Sequence, residues 1–185
     1  MKKILVFVIS VFLFSSLWAS SSKHSTTNWH SGINVGYSMF IDKGGDTRDA
    51  FQIGYHFEPA FAQFIGMEIS YKYRMYKVDS LENPRYNNRE EEMFFFLNSL
   101  NLGLKGQWDS GRLCPFLIFG GGFHLGTEYW ESNSRMDMGG SAYLKWGLDF
   151  DITNRFGIGI EMRYEFLFNA FKDLNLFDIA LRINF

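Results

Sequence analysis

The chain holds one cysteine, Cys114, and beyond its first twenty residues it has no long apolar run. A lone cysteine excludes a small fold stapled by intrachain disulfides. The missing apolar runs exclude a bundle of membrane helices, which needs about twenty consecutive apolar residues per span. Positive charge is also short: 18 Lys and Arg stand against 20 Asp and Glu. That balance argues against a nucleic-acid binder. Aromatic residues are what the chain has in excess, 19% of the total with 21 Phe, although its mean hydropathy is only −0.12. Strands with one face in lipid and the other in a polar lumen reconcile those two values.

The first residues read as an export signal. Lys2 and Lys3 precede an apolar stretch from Ile4 to Trp18, and Ala19 offers a small residue for cleavage. Residues 1–19 are therefore expected to be a cleaved signal peptide, 20–28 a flexible tail and 29–185 one domain. Without Lys2 and Lys3 the mature chain carries 16 basic against 20 acidic residues.

The rest alternates with a period of two. The last strand is the cleanest: Phe177, Ile179, Leu181, Ile183 and Phe185 share one face, and Asp178, Ala180, Arg182 and Asn184 share the other. Seven earlier segments follow the same rule: Trp29 to Ile41, Phe51 to Glu58, Ile65 to Met75, Met93 to Trp108, Leu117 to Tyr129, Ala142 to Ile152 and Gly157 to Phe168. Pro59 is expected to end the second strand, and a bulge is expected near Asn98, because residues 93–97 are apolar on both faces. Tight turns are expected at Asp109 to Arg112 and Thr153 to Arg155, and longer polar loops at 77–92 and 131–140. Short turns belong to the periplasmic side of an outer-membrane barrel, which puts both termini in the periplasm.

Alternation alone leaves open which face is inside. Glycine crowds the polar face (Gly32, Gly36, Gly54, Gly66, Gly103, Gly120, Gly122, Gly147, Gly157, Gly159), as a tight lumen requires. The apolar face is too bulky to converge inside eight strands. Trp29, Tyr73, Trp108, Tyr129, Trp130 and Tyr164 lie near predicted strand ends, as a two-interface aromatic girdle requires. The expected fold class is all-β: an eight-stranded antiparallel up-and-down transmembrane β-barrel. The strand Pro115-Phe116-Leu117-Ile118-Phe119-Gly120-Gly121-Gly122 and the terminal aromatic Phe185 resemble those of the small bacterial outer-membrane barrels, the OmpA transmembrane-domain, OmpX, OmpW and opacity-protein-like superfamily. The resemblance implies residence in the outer membrane, lipopolysaccharide as a neighbour, and Phe177, Ile179, Leu181, Ile183 and Phe185 as the signal read by the barrel-assembly machinery.

The inward face then carries charge of both signs: Glu58, Glu68, Lys72, Arg74, Lys105, Glu128, Lys145, Asp149, Asp151, Glu161, Arg163, Glu165, Asp178 and Arg182. Pairing is expected between Arg163 and Asp178, Lys145 and Glu161 or Glu165, and Glu68 and Lys105, giving a plugged lumen. The rival use of those charges is a gated ion path. His30, His56 and Glu58 are a weak metal candidate with no motif spacing. His124 and Glu128 share a face and are the weak candidate for a lipid-modifying enzyme, Ser141 having no evident partner. Phe40, Phe95, Leu97 and Leu167 would line an apolar pocket if the barrel were a conduit for small hydrophobic molecules. Loop 77–92 is the candidate contact with lipopolysaccharide, a host surface or another protein. No cofactor is expected. The expected role is structural, surface-contacting or that of a very small porin-like pore, without catalysis.

Overall fold

A computed structural model describes residues 29–62, 64–83, 89–108, 112–130, 133–153 and 156–185. The proposed signal peptide and tail lie outside the described residues, as do most of the two tight turns. Eight strands run in chain order: β1 Trp29–Asp42, β2 Thr47–Ala62, β3 Ile65–Asn83, β4 Arg89–Gln107, β5 Leu113–Trp130, β6 Ser134–Thr153, β7 Phe156–Leu167 and β8 Leu174–Asn184. Each pairs antiparallel with its neighbour, and β8 returns to β1 to close the barrel. Closure runs from Gly32 opposite Asn184 to Asp42 opposite Leu174. Ser31 and Phe185 extend it by exchanging backbone bonds of 3.3 and 2.8 Å, and Ser31 Oγ donates to the Phe185 carbonyl at 3.1 Å. Within the closed part of the barrel every strand is paired on both sides.

The register sets the barrel's size. Stepping between cross-strand partners, Ser31 leads through Phe57, Ile69, Leu102, Gly121, Ala142, Phe166 and Asn175 back to Ile41. The walk returns ten residues further along β1. Such a stagger tilts the strands by roughly 40°. At ~3.3 Å per residue, ten tilted residues climb about 25 Å, the height of a membrane barrel's apolar band.

The alternation sorts as expected. Leu100, Leu102, Leu104 and Phe119 point outward with 55–67% of their surface bare. On the outside, Tyr73 stacks on Phe96 at 5.9 Å and Phe96 meets Tyr129 edge-on at 5.5 Å. Trp108 is exposed at the end that carries the termini. Trp130 departs from the expected girdle. It lies one residue beyond outward-facing Tyr129, so it faces inward and packs on the apolar cluster of the lumen.

Three other expectations are corrected. β2 continues through Pro59, which pairs with Trp29. The β2–β3 register shifts just beyond it, between Ala60 and Ala62, where a missing N–H is tolerated. No bulge occurs at Asn98: β4 keeps register there with both neighbours. Its start is apolar on both faces because Met93, Phe95 and Leu97 fill the lumen while Phe94 and Phe96 face out. The stretches expected as polar loops are mostly strand. β3 pairs with β4 out to Asn83 opposite Arg89, and β5 with β6 out to Tyr129 opposite Ser134. Strands β3 to β6 are 18–20 residues long against 12 and 11 for β7 and β8. They stand above the barrel at the end opposite the termini. There the sequence loses its strict period while the backbone pairing continues.

An arginine on the apolar belt therefore has a depth-dependent effect. Leu102→Arg, at mid-height, is expected to destabilise the barrel by about 2–4 kcal/mol, and Leu113→Arg, at the termini-bearing rim, by about 0–1 kcal/mol. Urea unfolding from lipid vesicles checks the difference, and equal costs would contradict the belt.

Candidate functional site: the ionic lumen

The inward faces of the strands bury six carboxylates (Glu58, Glu68, Asp149, Glu161, Glu165, Asp178) and six cations (Lys72, Arg74, Lys105, Lys145, Arg163, Arg182). Each of the twelve has an opposite-charge partner within 4 Å. Glu161 is the hub. It accepts from Lys72 at 2.8 Å, Lys145 at 3.1 Å and Asn34 at 3.1 Å, with Arg182 at 3.5 Å. Lys145 also binds Glu68, whose other oxygen accepts from Ser70 at 3.0 Å. Asp178 accepts from Arg74 at 2.7 Å, Lys72 at 3.2 Å and Ser38 at 2.6 Å.

The pairing differs in part from that expected by register. Lys145 does reach Glu161. Lys105 binds Glu58 at 2.6 Å instead of Glu68. Arg163 sits opposite Asp178 in register, yet its guanidinium bonds Glu165 at 2.5 Å and Asn101 at 2.7 Å and lies 3.8 Å from the Tyr143 ring centre. Adjacent-strand register misses these bonds because long side chains also reach along their own strand (Arg163 to Glu165), past a neighbouring strand (Lys105 to Glu58) and across the narrow lumen (Arg163 to Asn101). Glu128 is not in the network. It lies half-buried near the far mouth, and no ion pair joins it to another described residue.

Apolar packing lies among the charges and, opposite the termini, above them. Towards the termini Phe116, Ile118 and Tyr143 form a buried cluster, with the Arg182 guanidinium 4.4 Å and the Lys105 ammonium 5.1 Å from the Phe116 ring centre. Glycine makes the room. A Cβ on Gly147 would lie 2.5 Å from the Phe116 ring, and one on Gly120 2.7 Å from that of Tyr143. At the other end Phe40, Ala50, Tyr76, Met93, Phe95, Leu97, Leu167, Phe171 and Leu176 pack together. The four residues foreseen as a pocket lining are all here, but the space between them is filled.

His56 and Glu58 are engaged with Arg182, at 3.1 Å from His56 Nε2 and 2.7 Å from Glu58 Oε1. A guanidinium on both opposes a metal ion there, and no group of three His, Cys, Asp or Glu among the described residues is placed to hold one. His124 belongs to a cluster that sequence reasoning missed. Its Nε2 is 2.7 Å from Ser141 Oγ and 3.1 Å from Glu165 Oε1, and its Nδ1 is 2.8 Å from Ser99 Oγ. Ser141 thus has the partners that β6 alone did not reveal. Its hydroxyl donates to Glu165 at 2.6 Å, and Glu165 is also held by Arg74 and Arg163. The cluster can hold a proton or bind a polar group; as arranged, it does not turn a free serine toward a substrate.

No protein-family model and no curated protein matches the chain in sequence. Solved structures match in shape. Neisserial surface protein A superposes with a TM-score of 0.68 at 10% identity, covering 86% of this chain and 98% of that one. Ail, the attachment invasion locus protein of Yersinia pestis, gives 0.55 at 17% identity, with 85% and 99% covered. The N-terminal barrel domain of Pseudomonas aeruginosa OprF gives 0.50 at 12%, with 86% and 100% covered.

The chain has the fold of the small outer-membrane barrels.

In such a barrel the bare apolar belt faces lipid, and the twelve charges are enclosed by membrane. A buried pair stripped of one member leaves an uncompensated charge. Lys145→Met is expected to cost about 3–5 kcal/mol. Adding Glu68→Gln is expected to recover part of that loss, so the two changes are not additive. Urea unfolding of the single and double variants measures the coupling, and simple additivity would contradict the pairing.

Proposed function

We propose that the protein is exported through a cleaved signal peptide to a bacterial outer membrane, where it is a closed barrel with both termini in the periplasm. Its work is then done by its wall and its outer rim, not by a continuous channel. The observation that carries this reading is the lumen: a charge-balanced network with Phe116, Ile118 and Tyr143 packed among its charges and an apolar layer over it at the end opposite the termini. Side chains fill the interior of an eight-stranded barrel. The lipid-facing pattern of β8 up to Phe185 supports its role as the assembly signal, with the barrel-assembly machinery as partner during insertion.

The raised part of β3 to β6 supports a surface-contact role, with lipopolysaccharide or a host or neighbouring protein as partner. Ail was crystallised with the heparin analogue sucrose octasulfate. In this chain several described cations at the raised end are paired with carboxylates. At the same end Lys43 pairs with Asp173, Lys77 with Glu92 at 3.0 Å, and Arg135 with Asp137 at 2.6 Å. The Lys43 ammonium holds the Asp173 carboxyl below the usual carboxylate range. A non-catalytic role is supported by the enclosure of His124, Ser99 and Ser141, all buried.

Purified protein in planar bilayers is expected to be electrically silent or to pass only a very small current. Large steady channels would overturn the closed-lumen reading.

A further inference from the structure

The two apolar clusters of the lumen are built differently. Phe116, Ile118 and Tyr143, packed among the charges, are all strand residues. The layer opposite the termini is completed by a residue from a connection. Between β7 and β8 the chain forms a single 3-10 turn, Asn169–Phe171, which starts with Asn169 in the left-handed region at φ 61°. Asn169, Ala170, Lys172 and Asp173 are exposed, while Phe171 is buried in the lumen and meets Phe95 edge-on at 6.4 Å.

Its ring has a seat cut for it. A Cβ on Gly126 or on Gly139 would lie 2.6 Å from the ring. Gly126 and Gly139, diagonal neighbours on the paired strands β5 and β6, weaken both strands there. Larger strand residues would fill that space without help from a connection. Directly below the seat lies the hydroxyl–imidazole cluster. His124 is the inward residue before Gly126, Ser141 is the inward residue after Gly139, and His124 is the register partner of Gly139. The turn itself is lightly tied. Phe168 N–H donates to Gly140 at 2.8 Å and Lys43 N–H to Asp173 at 3.0 Å. The Lys43–Asp173 ion pair is more than half exposed on both sides, where such pairs contribute little.

We propose that Phe171 is a removable stopper in a binding pocket for a small molecule consisting of one aromatic ring and one hydroxyl group. The ring takes the place of the phenylalanine ring between Gly126, Gly139, Phe95, Leu97 and Leu167. The hydroxyl meets His124 Nε2 and Ser141 Oγ. The pocket ends at the ionic network, so the molecule binds from the outer mouth and does not pass through. The inference rests on the closed-lumen reading only for that last point, which bilayer currents test separately.

Phenol is the probe, with toluene as the ring without the hydroxyl. Leucine methyl spectra of the whole folded barrel in lipid nanodiscs report its position. In the wild type, phenol is expected to shift Leu97, Leu167 and Leu176 saturably, and toluene more weakly. Phe171→Ala removes the internal competitor and is expected to tighten phenol binding about tenfold or more, because the open state no longer has to be populated first. Leu100 and Leu102, on the outside, report partition into lipid. The proposal is overturned if only Leu100 and Leu102 move, or if wild type and Phe171→Ala bind phenol equally. Should Phe171→Ala fail to fold, Lys43→Cys with Asp173→Cys, in a Cys114→Ser background, locks the turn by a disulfide. Oxidation is then expected to abolish the shifts and reduction to restore them; shifts that persist in the locked form overturn the stopper.

Discussion

A charge walled off from water by a lipid-embedded barrel has to be neutralised by another charge within bonding distance. Six carboxylates and six cations meet that requirement here, with Glu161 tying Lys72, Lys145 and Arg182 into one network. Much else in the structure follows from it. The partners come from six strands, so the barrel must close in one register for the bonds to form. A slip of one residue in any of these strands would put that strand's charges on the lipid side. The network thus selects a register as well as filling a space.

Filling that space needs both large side chains and missing ones. Phe116 and Tyr143 fit among the charges only because Gly147, Gly120 and Gly103 yield the volume. The same exchange at the end opposite the termini, Phe171 against Gly126 and Gly139, involves a residue carried on a connection. Packing by strand residues and packing by a connection therefore occur in one lumen. Outside, the aromatic contacts of Tyr73, Phe96 and Tyr129 hold the wall where it meets the headgroups and rises beyond them.

Much of this was legible in the sequence. Period-two alternation identified all eight strands and their lipid-facing sides, since one buried and one lipid face leave a strong pattern. It failed where that contrast fades. The raised parts of β3 to β6 read as loops because charged residues and asparagines interrupt the apolar alternation there. Met93 to Leu97 read as a bulge because lipid and a locally apolar lumen sit on opposite sides of one strand. Residues of the network were found from their face alone, but their partners were not. Glu68 on β3 reaches Lys145 on β6 across the lumen, Glu58 reaches Lys105 past an intervening strand, and His124, Ser141 and Glu165 meet diagonally over three neighbouring strands, all between segments distant in sequence whose exact register no spacing records. Glu128 and Trp130 show the opposite error: parity put the glutamate on the inner face, but its height placed it above the network, while a place at a strand end hid the tryptophan's inward parity.

The enclosure of the ionic layer is open to direct chemical test. Ser70 lies at its heart, bonded to Glu68 and 1% exposed. With Ser70→Cys in a Cys114→Ser background, a small charged thiol reagent applied to the folded barrel from either side should leave the cysteine unmodified, and unfolding in urea should make it react fully. Rapid modification in the folded state would mean that water and ions reach the network, and would contradict a lumen closed by paired charge.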